Sequence, residues 1–87
     1  MSKHPKTIIH WAFLQTQLTH FEKLLLISIA FAVVNIPQER VTTSTLSDLS
    51  SLSKSAVRRK ARRLQELGLI KKTRNSYDIL GFQQEAQ

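Results

Sequence analysis

Cysteine is absent from the 87-residue sequence, and glycine and proline occur only twice each. Without cysteine the chain can form neither a disulfide nor a thiolate metal site, and two glycines are too few for a glycine-rich phosphate loop. The six acidic residues are scattered, so no pair of carboxylates suggests general acid–base catalysis. His4, His10 and His20 lack neighbouring metal-ligand residues, which favours packing or surface roles. We therefore expect no enzymatic activity, no metal, no cofactor and no small-molecule ligand.

Positive charge, in contrast, is abundant and localised. Thirteen Lys and Arg against six Asp and Glu give a net charge of +7. Nine of the thirteen lie between Lys54 and Arg74, where Glu66 is the only acid. A charge that served solubility alone would be spread along the chain, so this cluster predicts an anionic partner.

The length of the chain predicts one small domain. We expect residues 1–6 to be a flexible N-terminus, residues 7–80 to form the domain and residues 81–87 to be a flexible tail. The polar N-terminus does not resemble a signal peptide, because the longest apolar run lies deep in the chain. This pattern, together with the absence of cysteine, predicts a cytoplasmic location.

The segment Ser53–Leu67 has the pattern of an amphipathic helix. Its small or apolar residues Val57, Ala61 and Leu64 recur at helical spacing. Ser53 is a suitable N-cap, and Gly68 can adopt the left-handed conformation that closes a helix. The opposite face carries Ser55, Arg58, Arg59, Arg62 and Glu66. A solvated face usually mixes both signs of charge, whereas here six cations accompany a single acid, which favours binding to an anion.

An uncharged run, Leu24–Val34, predicts a helix at the hydrophobic centre of the domain. Thr19 and Glu22 have the spacing of a capping box ahead of it, and Asn35 with the nearby Pro37 marks its end. The run is shorter than the roughly 20 apolar residues that span a bilayer. Since it is apolar on every side, it needs cover on both sides.

One side of this helix can meet the helices that follow it in the chain. The other side needs Thr7–Leu14, as a short helix or an irregular arm, or a second subunit, or both. Homodimerisation through the apolar helix is therefore a prediction, with an interface formed by Trp11, Leu25, Ile29 and Ala32. For Trp11, packing of this kind is favoured over base stacking.

A second short helix is predicted over Thr43–Ser50, with Leu46 and Leu49 directed inward. The Thr- and Ser-rich start of this helix is suited to capping it. A tight turn at Ser51 and Leu52 then joins it to the basic helix. Short helix, turn and longer helix is the order of a helix-turn-helix. Serine stands at the turn position that glycine often holds, which we expect to cost some backbone energy.

The chain on either side of this unit has extended character. Val41, before the short helix, is expected to add a strand residue. Leu69–Leu80 changes to a period of two and predicts a β-hairpin, with its turn at Arg74–Ser76 and a basic tip.

These residues resemble the helix-turn-helix and wing entry of winged-helix DNA-binding proteins. The resemblance is carried by Leu46-x-x-Leu49-x-x-Leu52-Ser53-x-Ser55-x-Val57-Arg58-Arg59, followed by Leu64-x-x-Leu67-Gly68-Leu69-Ile70. Upstream, His10-Trp11-Ala12, Lys23-Leu24-Leu25-Leu26 and Ala30 resemble small phage- and plasmid-type proteins, including replication-initiator DNA-binding domains. The sequence departs from the family at Lys60, where related helices often have a small or apolar residue. We expect Lys60 to extend along the edge of the core.

The resemblance implies a mainly α fold with a small β-hairpin, a winged helix-turn-helix with a three-helix core, a wing and an extra N-terminal helix or arm. It implies binding to double-stranded DNA, with residues 53–67 as recognition helix and 71–77 as wing. Arginine can bridge guanine O6 and N7 in the major groove, and the expected base-contacting residues are Ser55, Arg58, Arg59 and Arg62. The residues expected to contact the DNA backbone are Ser53, Lys54, Lys60, Arg63, Lys71, Lys72 and Arg74.

Three functions fit this pattern. The first is a transcriptional regulator, and the second is a DNA-binding replication or partition factor of a phage or plasmid; both predict association with the nucleoid. The third is a protein-interaction module whose basic face docks an acidic partner. Binding to duplex RNA is disfavoured, because the RNA major groove is too deep and narrow for a helix.

Overall fold

The computed structural model describes residues 5–36, 40–74 and 76–80. The described residues form four helices and a two-stranded hairpin: α1 Pro5–Phe13, α2 His20–Asn35, α3 Thr43–Ser50, α4 Lys54–Glu66, β1 Ile70–Thr73 and β2 Ser76–Ile79. The prediction of a mainly helical chain with a small β-hairpin is thus confirmed. Helix α1 begins at Pro5, two residues before the expected start of the ordered domain. Residues 1–4 and 81–87 lie outside the described residues.

Helix α2 lies at the centre of the fold and packs against α1, α3, α4 and β2. It begins with the predicted capping box: the Thr19 hydroxyl accepts from the Glu22 N–H at 3.3 Å, and the Glu22 carboxylate accepts from the Thr19 N–H at 3.1 Å. The buried residues of α2 are Leu25, Leu26, Ser28, Ile29, Ala30 and Ala32. The apolar residues among them form the middle of a single core to which every helix and both strands contribute.

Helix α1 covers one side of α2, so Thr7–Leu14 forms the predicted cover, as a helix rather than an arm. Ile8 and Ala12 of α1 are buried in the common core. This packing corrects the expected dimer interface. Leu25, Ile29 and Ala32 have no exposed surface within a single chain, so they are not accessible to a second subunit. Trp11 is half-buried and also packs against the core.

Serine and threonine hydroxyls fix the ends of α3 and the turn that follows it. The Thr42 hydroxyl caps α3 by accepting from the Thr45 N–H at 3.1 Å. Ser51 adopts the left-handed conformation, with φ 64°, at the turn position where glycine is the more usual residue. A non-glycine residue in this region costs about 1–2 kcal/mol. The Ser47 hydroxyl donates to the Leu52 carbonyl at 2.6 Å, and the Ser50 hydroxyl accepts from the Leu52 N–H at 3.2 Å, so both hold the turn closed. The Ser50 hydroxyl itself donates to the Leu46 carbonyl within α3, at 2.6 Å.

The two leucines of α3 do not share one environment. Leu46 is fully buried, but Leu49 is 43 % exposed, so the prediction that Leu49 points inward was wrong. Three residues along a helix are 300° of rotation, which leaves the two side chains 60° apart. Ser50 takes the remaining inward position and satisfies its hydroxyl within the helix.

The hairpin follows α4 closely. Gly68 has φ 77°, the left-handed conformation that closes α4, and no neighbouring atom would obstruct a Cβ there, so the backbone conformation alone favours glycine. The strands are antiparallel, with Ile70 opposite Ile79 and Lys72 opposite Tyr77. Ile70 and Tyr77 are buried and anchor the hairpin to the core. Val41 is not a strand residue, contrary to expectation, but its carbonyl accepts from the Tyr77 N–H at 2.9 Å.

Candidate nucleic-acid interface

Helix α4 separates sharply into a buried and an exposed face. Val57, Ala61 and Leu64 are at most 1 % exposed and pack into the core. On the other face all four residues expected to contact bases are exposed: Ser55, Arg58, Arg59 and Arg62. The helical spacing of the apolar residues therefore predicted both faces correctly. The core fixes the axis of the helix, and the arginines extend away from it.

The beginning of α4 combines a side-chain N-cap with an exposed cation. The Ser53 hydroxyl accepts from the Ala56 N–H at 3.1 Å, which confirms Ser53 as the N-cap. Its hydroxyl hydrogen stays able to donate, because this bond uses only an acceptor lone pair. Lys54 is exposed in the first turn, where the helix dipole also presents partial positive charge.

The cations of α4 are hardly neutralised by the residues that the structure describes. Among the described residues one ion pair is formed, between Arg63 and Glu66, with 3.8 Å between nitrogen and oxygen. Both side chains are more than half exposed, and such surface pairs contribute about 0–1 kcal/mol to stability. The positive potential of this face is therefore directed into solvent.

Lys60 differs from its neighbours on α4. It is half-buried, and its ammonium nitrogen lies 6.0 Å from the centre of the Phe21 ring at the start of α2. Its partial burial is compatible with the expected course of the aliphatic chain along the edge of the core. Among the residues expected to contact the DNA backbone, Lys60 is thus the one held toward α2.

The hairpin adds cations directly after α4. Three residues separate α4 from β1, and the two elements pack together. Lys71, Lys72 and Arg74 are all exposed. We use the name basic surface for these three residues and the exposed cations of α4 taken together: Lys54, Arg58, Arg59, Arg62, Arg63, Lys71, Lys72 and Arg74.

One long-range contact of the hairpin could not be found from the sequence. The Tyr77 side chain is buried, and its hydroxyl hydrogen-bonds the Thr43 hydroxyl at 3.1 Å. The two residues are 34 positions apart, and no local pattern connects a tyrosine in a strand with a threonine in a helix. Because side chains alternate between the two faces of a strand, the sequence predicted only that Tyr77 lies on the same face of the hairpin as the residues two positions before and after it.

An apolar groove lies between α2 and α3. Its volume is about 310 Å³, and it is lined by Leu24, Ile27, Ser28, Phe31 and Leu49. Phe31 and Leu49 are 45 % and 43 % exposed. The lining contains no ionisable side chain, so the groove offers no acid–base chemistry. Homodimerisation stays a prediction, which light scattering of the purified chain tests.

Other chemistry finds little support in the part of the chain that the structure describes. No group of three or more His, Asp or Glu residues there could hold a metal ion. No helix within the same residues is long and apolar enough to cross a membrane.

Comparisons with known proteins assign no family. No protein-family model matches the chain, and neither the curated proteins nor the solved structures give a significant match. The resemblance seen in residues 46–70 therefore depends on those residues alone.

Proposed function

We propose that this chain binds double-stranded DNA in a sequence-dependent manner through the basic surface. The observation that carries the proposal is the division of α4: a buried apolar face fixes the helix, and an opposite face presents exposed guanidinium groups. The major groove of B-DNA is wide enough for one such helix, and arginine there can make two hydrogen bonds to guanine.

The arrangement around α4 supports a winged helix-turn-helix as the finer description of the fold. Helix α3, a tight turn at Ser51 and helix α4 follow one another, α2 packs across both helices, and a basic hairpin comes next. In this arrangement α4 is the recognition helix, and the hairpin is the wing that contacts the neighbouring backbone.

Different residues would then carry affinity and sequence preference. Ser55, Arg58, Arg59 and Arg62 reach base edges, whose donor and acceptor pattern differs between base pairs. The flanking residues contact phosphates and set the register of the protein on the duplex without reading sequence: Ser53, Lys54, Lys60, Arg63, Lys71, Lys72 and Arg74. The biological role on this proposal is transcriptional regulation, or replication or partition of a phage or plasmid.

The experiment is a selection of binding sites from random duplexes, followed by titration of the best site at several salt concentrations. We expect one enriched motif. With six phosphate contacts, the logarithm of the affinity falls against the logarithm of the salt concentration with a slope of about −5. A duplex RNA of the selected sequence serves as the control and should bind more weakly.

Two results would overturn the proposal in different ways. Binding that does not change with salt would remove the electrostatic mechanism. Salt-dependent binding to duplexes without any enriched motif would leave a polyanion-binding surface and favour the alternative, in which the basic surface docks an acidic protein partner.

A further inference from the structure

We infer that Tyr77 is a positioning residue, whose hydroxyl bond to Thr43 sets the angle at which the basic hairpin stands relative to α3 and α4. The expected effect of Tyr77 on DNA binding rests on the proposed function, whereas its effect on the orientation of the hairpin does not. Tyr77 is not part of the basic surface, and it lies on β2, the strand paired with the cation-bearing β1.

The hairpin depends on the rest of the fold for its position. Its two strands have four residues each, and an isolated two-stranded hairpin is marginally stable in water. The side chains of β1 after Ile70 are exposed. The buried side chains Ile70 and Tyr77 therefore determine where the exposed tip stands.

Tyr77 attaches the hairpin to the start of α3 at two points. Its backbone N–H donates to the Val41 carbonyl at 2.9 Å, and its hydroxyl bonds the Thr43 hydroxyl at 3.1 Å. Val41 and Thr43 are two residues apart, so one residue of β2 holds one short segment at both its backbone and the far end of its side chain. Within the limits set by the packing of β1 on α4 and of β2 on α2, these two attachments together define the orientation of the strand.

The same ring lies beneath a cation of the basic surface. Lys72 is the cross-strand partner of Tyr77, and its ammonium nitrogen lies 5.7 Å from the centre of the ring. The ring that bonds Thr43 thus also lies against a cation of the hairpin. The chain of contacts runs from Thr43 at the beginning of α3, through Tyr77, to the tip of the hairpin.

The first test needs no DNA. Tyr77→Phe keeps the ring and removes the hydroxyl, and Thr43→Val keeps the branched shape of the partner and removes its hydroxyl. Residual dipolar couplings of the backbone N–H groups report the orientation of the hairpin relative to α3 and α4. We expect each variant to change the couplings of β1 and β2 while those of the helices stay the same. The double variant should change them by the same amount as either single variant, because all three lose the same bond.

The second test measures duplex affinity. Breaking one interaction between the hairpin and a phosphate lowers the affinity about fivefold at 0.15 M salt and reduces the salt slope by about one. We expect Tyr77→Phe to produce such a decrease in the natural chain. The decrease should disappear when the tip is already neutral, in a chain carrying Lys71→Ala, Lys72→Ala and Arg74→Ala, because no cation of the tip is then left to misplace.

The outcomes separate the inference from the function. Unchanged hairpin couplings in both single variants would overturn the positioning role, as would a decrease in affinity of equal size in the neutral-tip chain. Changed couplings in a chain that binds no duplex would refute the proposed function and leave the positioning role intact. A Tyr77→Phe chain that loses its helical circular dichroism is replaced by Thr43→Val, which breaks the same bond from the other side.

Discussion

Helices α2 and α4 each bury one side in the core and expose the other, but their exposed sides differ in chemistry. Leu24–Val34 of α2 has no charged residue, and its open side shows apolar groups such as Phe31. The open side of α4 carries arginines and a serine. Helix α2 therefore contributes packing to four other elements, whereas α4 contributes packing on one face and charge on the other. On the proposed function, the fold assigns structure mainly to α2 and DNA recognition to α4.

The most severe test of this division is a charge on the buried face of α4. Val57→Asp places an unpaired carboxylate at a fully buried position, and we expect a loss of unfolding free energy of about 4 kcal/mol or more. For a domain of this size that loss is comparable with the whole stability. Circular dichroism during urea denaturation measures it. Val57→Ala, which removes two methyl groups without adding charge, is the control and should stay folded.

The two sides of α2 can be compared in the same assay. Ile29 is fully buried, so Ile29→Ala should lower the unfolding free energy by about 2–5 kcal/mol. Phe31 is 45 % exposed, so Phe31→Ala should cost only about 1 kcal/mol, although it removes the larger side chain. Equal losses would show that the open side of α2 is covered in solution, for instance by a second subunit, and light scattering on both variants would identify that case.

The contrast between the helices also explains how much the sequence could reveal. In α4 polar and apolar residues alternate with the helical period, so both faces, the N-cap Ser53 and the closing Gly68 followed from the residues. In α2 the apolar run has no such contrast. Ile29 and Phe31 look equivalent in sequence, and only the packing of α1, α3 and α4 decides that one is buried and the other is not. The interface expected at Leu25, Ile29 and Ala32 was wrong for this reason.

Contacts between distant segments had no signal in the sequence. The capping box of α2, the turn at Ser51 and the hairpin depend on residues within a few positions of each other, and all were predicted. The bond between Tyr77 and Thr43 and the exposed position of Leu49 depend on how separate elements meet. The part of the candidate site on α4 was thus predictable, while the attachment of the hairpin was not.

A smaller effect is expected from the exposed face of α4, and it concerns binding rather than folding. Arg59→Ala or Arg62→Ala should each cost about 1–3 kcal/mol of binding free energy on the selected duplex and reduce the preference at one base pair. Helical circular dichroism should be unchanged, because neither side chain is buried. Gln65→Ala is the matched control, an exposed and uncharged position of the same helix. If both arginine variants kept the natural ratio of selected to scrambled affinity, α4 would not be the reading element.

The smallest effect separates cations that hold DNA from those that read it. Lys71 is exposed on β1, and Lys71→Ala should weaken binding to selected and scrambled duplexes by the same factor, because a phosphate contact carries no sequence information. The salt slope should fall by about one. Lys23→Ala removes the same charge from α2, outside the basic surface, and should leave the slope unchanged. Equal slopes for the two variants would mean that total charge, rather than the arrangement of cations on α4 and the hairpin, determines the affinity. Fluorescence anisotropy at four or more salt concentrations would resolve a change of one in the slope.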